Sequence, residues 1–150
     1  KAWTTKNLTA TIAKPPAHFN TVLYAGNSPS DNDITTVGFQ ADLTWIKSRS
    51  NVSNHSLCDS VRGATKELYP NTTGVEYTDT DGLKSWDGDG FTVGSDGETN
   101  NSGWTFVAWN WLAGTSFDAG GGSGTGSKNA TAGFSIAKWE GDGESGPGGP

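Results

Sequence analysis

Trp104-Thr-Phe-Val-Ala-Trp-Asn-Trp111 is the stretch that decides the fold of this 150-residue chain. Residues two apart share a face of a β-strand, so Trp104, Phe106 and Ala108 lie on one side and Val107, Trp109 and Trp111 on the other. Both sides are apolar and rich in side chains that favour pleated backbone. Such a segment belongs in the middle of a sheet with a packed layer on each face. Trp45, Trp104 and Trp109 are therefore expected in the core.

The neighbouring segments carry the same period. Phe19-Asn-Thr-Val-Leu-Tyr24 is β-branched and aromatic and ends at Gly26, before the turn cluster Asn27-Ser-Pro-Ser-Asp-Asn-Asp33. Within Val37 to Lys47, Leu43 and Trp45 alternate with Thr44 and Ile46, the mark of a strand with one buried face. His55 to Val61 alternates Ser56, Cys58 and Ser60 with Leu57, Asp59 and Val61, a short strand. Arg62 to Tyr69 is expected to form one or two helical turns, confined by Gly63 and Pro70. Asn71 to Gly90, dense in Asp, Gly and Thr, is expected to be a long surface excursion, and Phe91-Thr-Val93 a short strand. These elements predict an all-β fold, an antiparallel β-sandwich of jelly-roll type over 19–115.

The ends read differently. Residues 1–18 include Lys14-Pro15-Pro16 and are expected to form an extended arm. Residues 116–132 contain Ala119-Gly-Gly-Gly-Ser-Gly-Thr-Gly-Ser127 and are expected to be a flexible Gly/Ser-rich linker. Over 133–150, Phe134-Ser-Ile-Ala-Lys-Trp-Glu-Gly141 aligns with Phe19 to Gly26 at a constant offset of 115, which predicts the start of a second repeat or an exchanged strand. The absence of Met and the opening at Lys1 fit one repeat of a longer protein.

Composition narrows the function. With 22 Gly and 6 Pro, long helices are excluded, while 7 Trp, 6 Phe and 3 Tyr exclude a disordered chain. A net charge of −6 argues against nucleic acid and anionic membrane as partners. No apolar run is long enough for a helical membrane span. The lone Cys58 forms no internal disulfide.

Catalytic chemistry is not evident. His18 and His55 lack a metal-spaced partner, and His55 and Cys58, three apart on a strand, point to opposite faces. No nucleophile elbow occurs, and the Gly-rich run at 122–126 has no Lys-Ser/Thr pair of a phosphate loop. The protein is accordingly expected not to be an enzyme and to need no cofactor, with one exception in the acidic turns. Thr78 to Gly90 contains two Asp-x-Asp-Gly units, and Asp79, Asp81, Asp87 and Asp89 offer the oxygens a calcium ion prefers. They fail the helical calcium-loop template at Leu83 and Gly90, and the competing role is capping their own turns. Trp86, with Asp87 and Asp89, is the candidate carbohydrate-binding set, its alternative being burial over a turn. Asp59 and Arg62 are expected to form a structural ion pair. Six Asn-x-Ser/Thr sequons begin at Asn7, Asn51, Asn54, Asn71, Asn100 and Asn129, all in segments read as loop or arm.

Four motifs taken together resemble a known family: Val37-Gly-Phe-Gln-Ala-Asp-Leu-Thr-Trp-Ile-Lys-Ser-Arg49, Leu57-Cys-Asp-Ser-Val-Arg-Gly-Ala-Thr-Lys66, Ser85-Trp-Asp-Gly-Asp-Gly-Phe-Thr-Val-Gly-Ser95 and Phe106 to Trp111. In order and spacing they are similar to a domain of unknown biochemical activity that recurs in tailed-bacteriophage tail and fibre virion proteins, especially of aquatic phages. The resemblance covers roughly residues 15–115. It implies a structural or appendage role and brings no catalytic residues. It departs at Ala41, usually Pro, and at Trp86 or Gly88, usually Asp or Asn.

The expected function is a structural virion module of a fibre, tail or capsid decoration, at the virion surface or outside the cell. Its expected partners are copies of itself and other virion proteins, through strand and arm contacts. The alternative is a lectin-like adhesin that holds host polysaccharide through the acidic loop, with calcium.

Overall fold

The computed structural model describes residues 12–120 and 124–141. It is built almost wholly from antiparallel strands: β1 (Phe19–Ala25), β2 (Asn32–Ile34), β3 (Leu43–Ser48), β4 (His55–Asp59), β5 (Lys66–Leu68), β6 (Tyr77–Thr78), β7 (Leu83–Asp87), β8 (Gly90–Val93), β9 (Thr105–Trp111), β10 (Thr115–Gly120), β11 (Gly124–Asn129) and β12 (Phe134–Lys138). One turn of helix, α1 (Gly97–Asn100), precedes β9. The six-stranded sheet has the order β1-β9-β3-β4-β5-β6, and the two three-stranded sheets have the orders β2-β8-β7 and β10-β11-β12. The expected all-β architecture is what the chain adopts.

The core lies between the six-stranded sheet and β2-β8-β7. Val22, Thr44, Ile46, Cys58, Phe106 and Ala108 are buried on one side; Ile34, Leu83, Phe91 and Val93 are buried on the other. Val37, Phe39 and Ala41, on the segment crossing between layers, complete the cluster. The ring of Tyr24 stacks on Phe106 at 5.1 Å and meets the edge of Phe91 at 6.1 Å, joining the two layers. Each fully buried Phe contributes about 2–3 kcal/mol of transfer free energy, so this aromatic pairing is a main source of cohesion.

β9 is central in its sheet, as its two apolar faces suggest, but only one face is fully packed. Phe106, Ala108 and Asn110 are buried, whereas Val107, Trp109 and Trp111 are half-buried on the outer side. Trp45 is likewise half-buried there, while Trp104 packs against the core from its margin. The expectation that Trp45 and Trp109 are core residues is thus corrected. No second full layer covers that side of the sheet, so the large aromatics remain at a surface.

Three further expectations are revised. Lys66–Leu68 is a strand, not a helix, because Glu67 pairs across to Cys58 on one side and Tyr77 on the other. The excursion 71–90 contains β6 and β7, and β7 hairpins onto β8 through the Asp87 to Gly90 turn. Gly90 is required there: a Cβ would fall 1.7 Å from the Ile34 carbonyl oxygen. Pro15-Pro16 starts a single 3₁₀ turn over Pro15–Ala17 in place of an extended path, since the fixed proline φ suits the first positions of a turn. The remainder of the arm, 1–11, lies outside the described residues.

The segment read as a linker, 116–132, forms most of β10 and all of β11. Glycine does not prevent ladder pairing, and here it is used: Phe117 pairs opposite Gly126, whose Cβ would lie 2.5 Å from the Phe117 ring. The ring therefore lies across a bare cross-strand position, with the Lys128 ammonium 5.3 Å from its centroid. Residues 121–123 of that segment lie outside the described ones. β12 pairs with β11 in the same chain, so Phe134 to Lys138 is held intramolecularly. The Phe134 ring stacks on Trp111 at 6.0 Å, and Asn129 Nδ2 donates to the Leu112 carbonyl at 3.2 Å, tying this small sheet to the body.

Candidate functional site

The register of the six-stranded sheet assembles an apolar outer face. Phe19, Trp111 and Leu43 form one row; Thr21, Trp109, Trp45, Leu57 and Leu68 form the next; Leu23, Val107, Lys47 and His55 form the third. Three indoles and an imidazole, those of Trp45, Trp109, Trp111 and His55, line an open cleft of about 400 Å³. Trp45 and Trp109 meet edge to face at 5.9 Å, so their rings hold each other upright. The Trp45 indole N–H donates to His55 Nδ1 at 3.0 Å. Burial, aided by the nearby Lys47 ammonium, lowers the His55 pKa, so the imidazole stays neutral and accepts that proton donor. What remains exposed in the cleft is π surface with almost no polar atoms. Phe19 and Leu23 extend this surface to the sheet edge, 41% and 60% exposed. Together these side chains form a contiguous apolar surface rather than scattered apolar atoms.

The acidic turns are placed elsewhere and are already engaged. Trp86 packs against the core, and its N–H donates to the buried Thr44 hydroxyl at 2.9 Å. The indole is half-buried, its N–H edge directed inward beneath the hairpin because β7 turns it toward the opposing sheet, which accords with the alternative of burial over a turn. Asp87 accepts from the Ser85 and Thr92 hydroxyls, and Asp89 Oδ1 accepts from the Gly38 N–H at 2.7 Å. Asp79 Oδ1 caps the Asp81 N–H at 2.8 Å. The carboxylates of Asp79, Asp87 and Asp89 thus hold local hydroxyl and backbone N–H groups, those of Asp79 and Asp87 within their own segments and that of Asp89 on the Gly38 N–H. Among the described residues no group of three or more His, Cys, Asp or Glu side chains is arranged to hold a metal ion. Trp86→Phe removes one hydrogen bond while keeping most of the packing. Urea unfolding is expected to show a loss of about 1 kcal/mol, with any glycan binding unchanged.

Asp59 and Arg62 form an ion pair at 2.5 Å in a largely buried setting. Asp59 Oδ1 also accepts the backbone N–H groups of Val61 and Arg62, while Arg62 donates to the Leu57 and Lys66 carbonyls and to Glu76. The pair closes the β4–β5 connection, a structural role. Cys58 faces the core, and burial, with the neighbouring Glu67 charge, pushes its thiol up to about 12, which makes it inert. His18 sits with Nδ1 3.0 Å from Asn129 Nδ2, beside the small sheet.

The sequons divide by burial. Asn51 and Asn71 are exposed, and Asn54 and Asn129 are half-buried and hydrogen-bonded. Asn7 lies outside the described residues. Asn100 is fully buried, which removes it as a glycan acceptor in the folded chain.

One group escaped the sequence reading. Glu67 is 1% exposed on the inner side of β5, and neither carboxyl oxygen has a hydrogen-bond partner. The Tyr77 hydroxyl and Glu98 Oε2 are also buried and unpaired. Gly82 is flanked by the Glu67 and Asp79 carboxyls, for a Cβ there would sit 3.1 Å from Glu67 Oε2 and 3.0 Å from Asp79 Oδ2. Burial raises the Glu67 pKa to about 7, and the charges of Asp96 and Asp79 add to this; the Ser56 and Tyr77 hydroxyls oppose it from beyond good hydrogen-bond geometry. Alternation in the three-residue strand Lys66–Leu68 is too short a signal to reveal an inward carboxylate.

The model of a family described as Domain of unknown function (DUF7483) matches residues 14–149. No curated protein and no solved structure shows a significant match to the chain.

Proposed function

Because the chain belongs to that family, whose description names no activity, we propose a function from the geometry: a structural module of a virion fibre, tail or capsid decoration that assembles through its outer sheet face and strand edges. The observation that carries it is the continuous apolar surface running from Leu23 and Phe19 at the edge of β1 to the Trp45–Trp109–Trp111 cleft. A monomer gains nothing from leaving such a surface in water, whereas a copy or neighbour that covers it gains about 25 cal/mol per Å² of apolar area. The resemblance of the four motifs to virion proteins supplies the setting, and the net charge of −6 favours protein partners over nucleic acid. The partners are copies of this chain and other virion proteins, outside the cell.

One observation favours a second function, a lectin-like adhesin: the three indole faces of the cleft are a surface on which a sugar ring stacks. Its residues would then be Trp45, Trp109 and Trp111 in place of Trp86, and calcium would have no part in it, since the acidic turns lie away from the cleft.

Sedimentation of the native chain over a hundredfold range of concentration, with and without EDTA, tests the proposal. A dimer or larger assembly that persists in EDTA is expected. A monomer at every concentration that binds a polysaccharide would replace assembly with adhesion.

A further inference from the structure

We propose that β1 is a self-pairing edge, at which two copies of this chain join their six-stranded sheets by antiparallel pairing centred on Thr21. This inference rests on the assembly function proposed above and specifies its partner and register.

Among the described residues β1 is the terminal strand of its sheet and pairs only with β9. The bonds that close its two ends, from Leu112 N–H to the His18 carbonyl and from Gly26 N–H to the Trp104 carbonyl, show that even-numbered residues face β9. The odd-numbered residues Phe19, Thr21, Leu23 and Ala25 therefore direct their N–H and C=O groups away from the sheet. The strand carries no charge, proline or bulge, the devices by which sheet edges are commonly kept from pairing.

Two contacts decide the register. Asn32 Nδ2 donates to the Ala25 carbonyl at 2.9 Å, which occupies the C-terminal end of the edge and leaves Phe19 to Leu23 as the open segment. A two-fold pairing confined to that segment is centred on Thr21, placing Phe19 against Leu23 of the partner subunit and Thr21 against Thr21 of the partner subunit. The exposed apolar side chains then cover each other around a Thr–Thr pair, a favourable cross-strand combination. The alternative centre, Val22, would require Ala25 and would place Phe19 against it. Three hydrogen-bonded residue pairs supply about six inter-chain bonds. The Thr21 N–H now donates to Asn20 Oδ1 at 2.9 Å and would exchange that acceptor for a partner carbonyl, while Asn20 Nδ2 keeps its bond to the Val37 carbonyl. The two-fold axis is perpendicular to the sheet, so both aromatic clefts lie on one side of the joined sheet, giving a continuous apolar surface across the dimer.

The chain suits a cysteine test, because its one native cysteine, Cys58, is buried. A residue paired with itself across a two-fold axis lies about 5.5 Å away between Cα atoms, within disulfide range. In mild oxidant Thr21→Cys is expected to give a covalent dimer on a non-reducing gel, and Ala25→Cys to stay monomeric. Leu23→Lys, which brings like charges to the edge, is expected to weaken the dimer at least tenfold by sedimentation while leaving the circular dichroism unchanged. If the native chain sediments as an oligomer but Thr21→Cys does not cross-link and Leu23→Lys leaves the mass unaltered, the β1 interface is wrong and assembly through another surface stands. A native chain that is monomeric throughout overturns both.

Discussion

Replacing Asn100 by Ala lowers the unfolding free energy by about 4 kcal/mol, the largest single-residue effect expected outside the aromatic core. The side chain is fully buried at the end of α1 and is hydrogen-bonded in five directions. The two hydrogens of its Nδ2 are shared among three acceptors, the Gly94 carbonyl at 2.7 Å, the Ser30 carbonyl at 2.9 Å and Asn27 Oδ1 at 3.0 Å. Its Oδ1 accepts from the Asn27 N–H at 2.9 Å and from Asn32 Nδ2 at 3.1 Å. The turn 26–32, the end of β8 and the start of β2 are thus all fixed by one amide. Removing it leaves several polar groups unpaired, one of them in a fully buried bond, at about 1–3 kcal/mol for each that water does not reach. Asn100→Asp keeps the acceptor but loses every donor and adds a buried charge, so it is expected to be at least as damaging. Urea denaturation of both variants measures this, and a loss below about 1 kcal/mol for Asn100→Ala would show that the turn is held by other means.

The second large effect is on the pH dependence of stability and comes from Glu67. Burial raises its pKa from 4.5 in the unfolded chain to about 7 in the folded one. Between these values the folded state binds more protons than the unfolded state, so this group's contribution to stability falls as pH rises from about 4.5 to about 7 and then levels off. Asp96 acts in the same direction, its pKa raised by burial and by the Asp79 charge. At pH 8 an ionised Glu67 therefore costs about 3 kcal/mol relative to pH 4, because each tenfold difference in proton affinity between the folded and unfolded chain is worth about 1.4 kcal/mol. Glu67→Gln, neutral throughout, is expected to raise the melting temperature at pH 8, to leave it nearly unchanged at pH 4, and to flatten the profile between. The residual slope combines Asp96 with His55, whose lowered pKa acts in the opposite direction. Parallel profiles for the two proteins would mean that Glu67 is solvated or bound to a counter-charge in solution. Glu67 and the Tyr77 hydroxyl, buried without hydrogen-bond partners where β5 and β6 end the six-stranded sheet, make this corner the part of the fold that weakens as pH rises from about 4.5 to about 7.

Much of the strand pattern was legible because period-2 alternation is a local property. β1, β3, β4, β8 and β9 each contain enough alternating β-branched or aromatic residues to declare themselves, whereas the turn expected over Asn27 to Asp33 is shorter, because Asn32 and Asp33 belong to β2 and pair with β8. The strands that did not show, β2, β5, β6, β7, β10 and β11, are short, polar or glycine-rich. Their backbone groups pair because a neighbour is already in place, as Gly126 does opposite Phe117 and Glu67 opposite Cys58. A strand that exists because of its partner leaves little trace in its own residues.

The same limit governs the site. That this chain folds as an acidic, aromatic-rich, all-β protein with one unpaired cysteine is set by composition and alternation, which depend only on residues near each other in sequence. Which tryptophans are inside was decided by tertiary structure alone. Trp86, among Asp and Gly, turns inward because β7 hairpins against β8 and Thr44 waits across the core to receive its N–H. Trp45 and Trp109, in the most hydrophobic strands, stay half-exposed because β2-β8-β7 covers one face of the six-stranded sheet, and the β10-β11-β12 sheet meets the other face at Trp111 through Phe134 and beside Leu57 and Leu68 through Ala137 to Trp139, leaving the cleft between them open. A strand with two apolar faces states that both want cover. How much cover each receives depends on the number and size of the layers the rest of the chain can build.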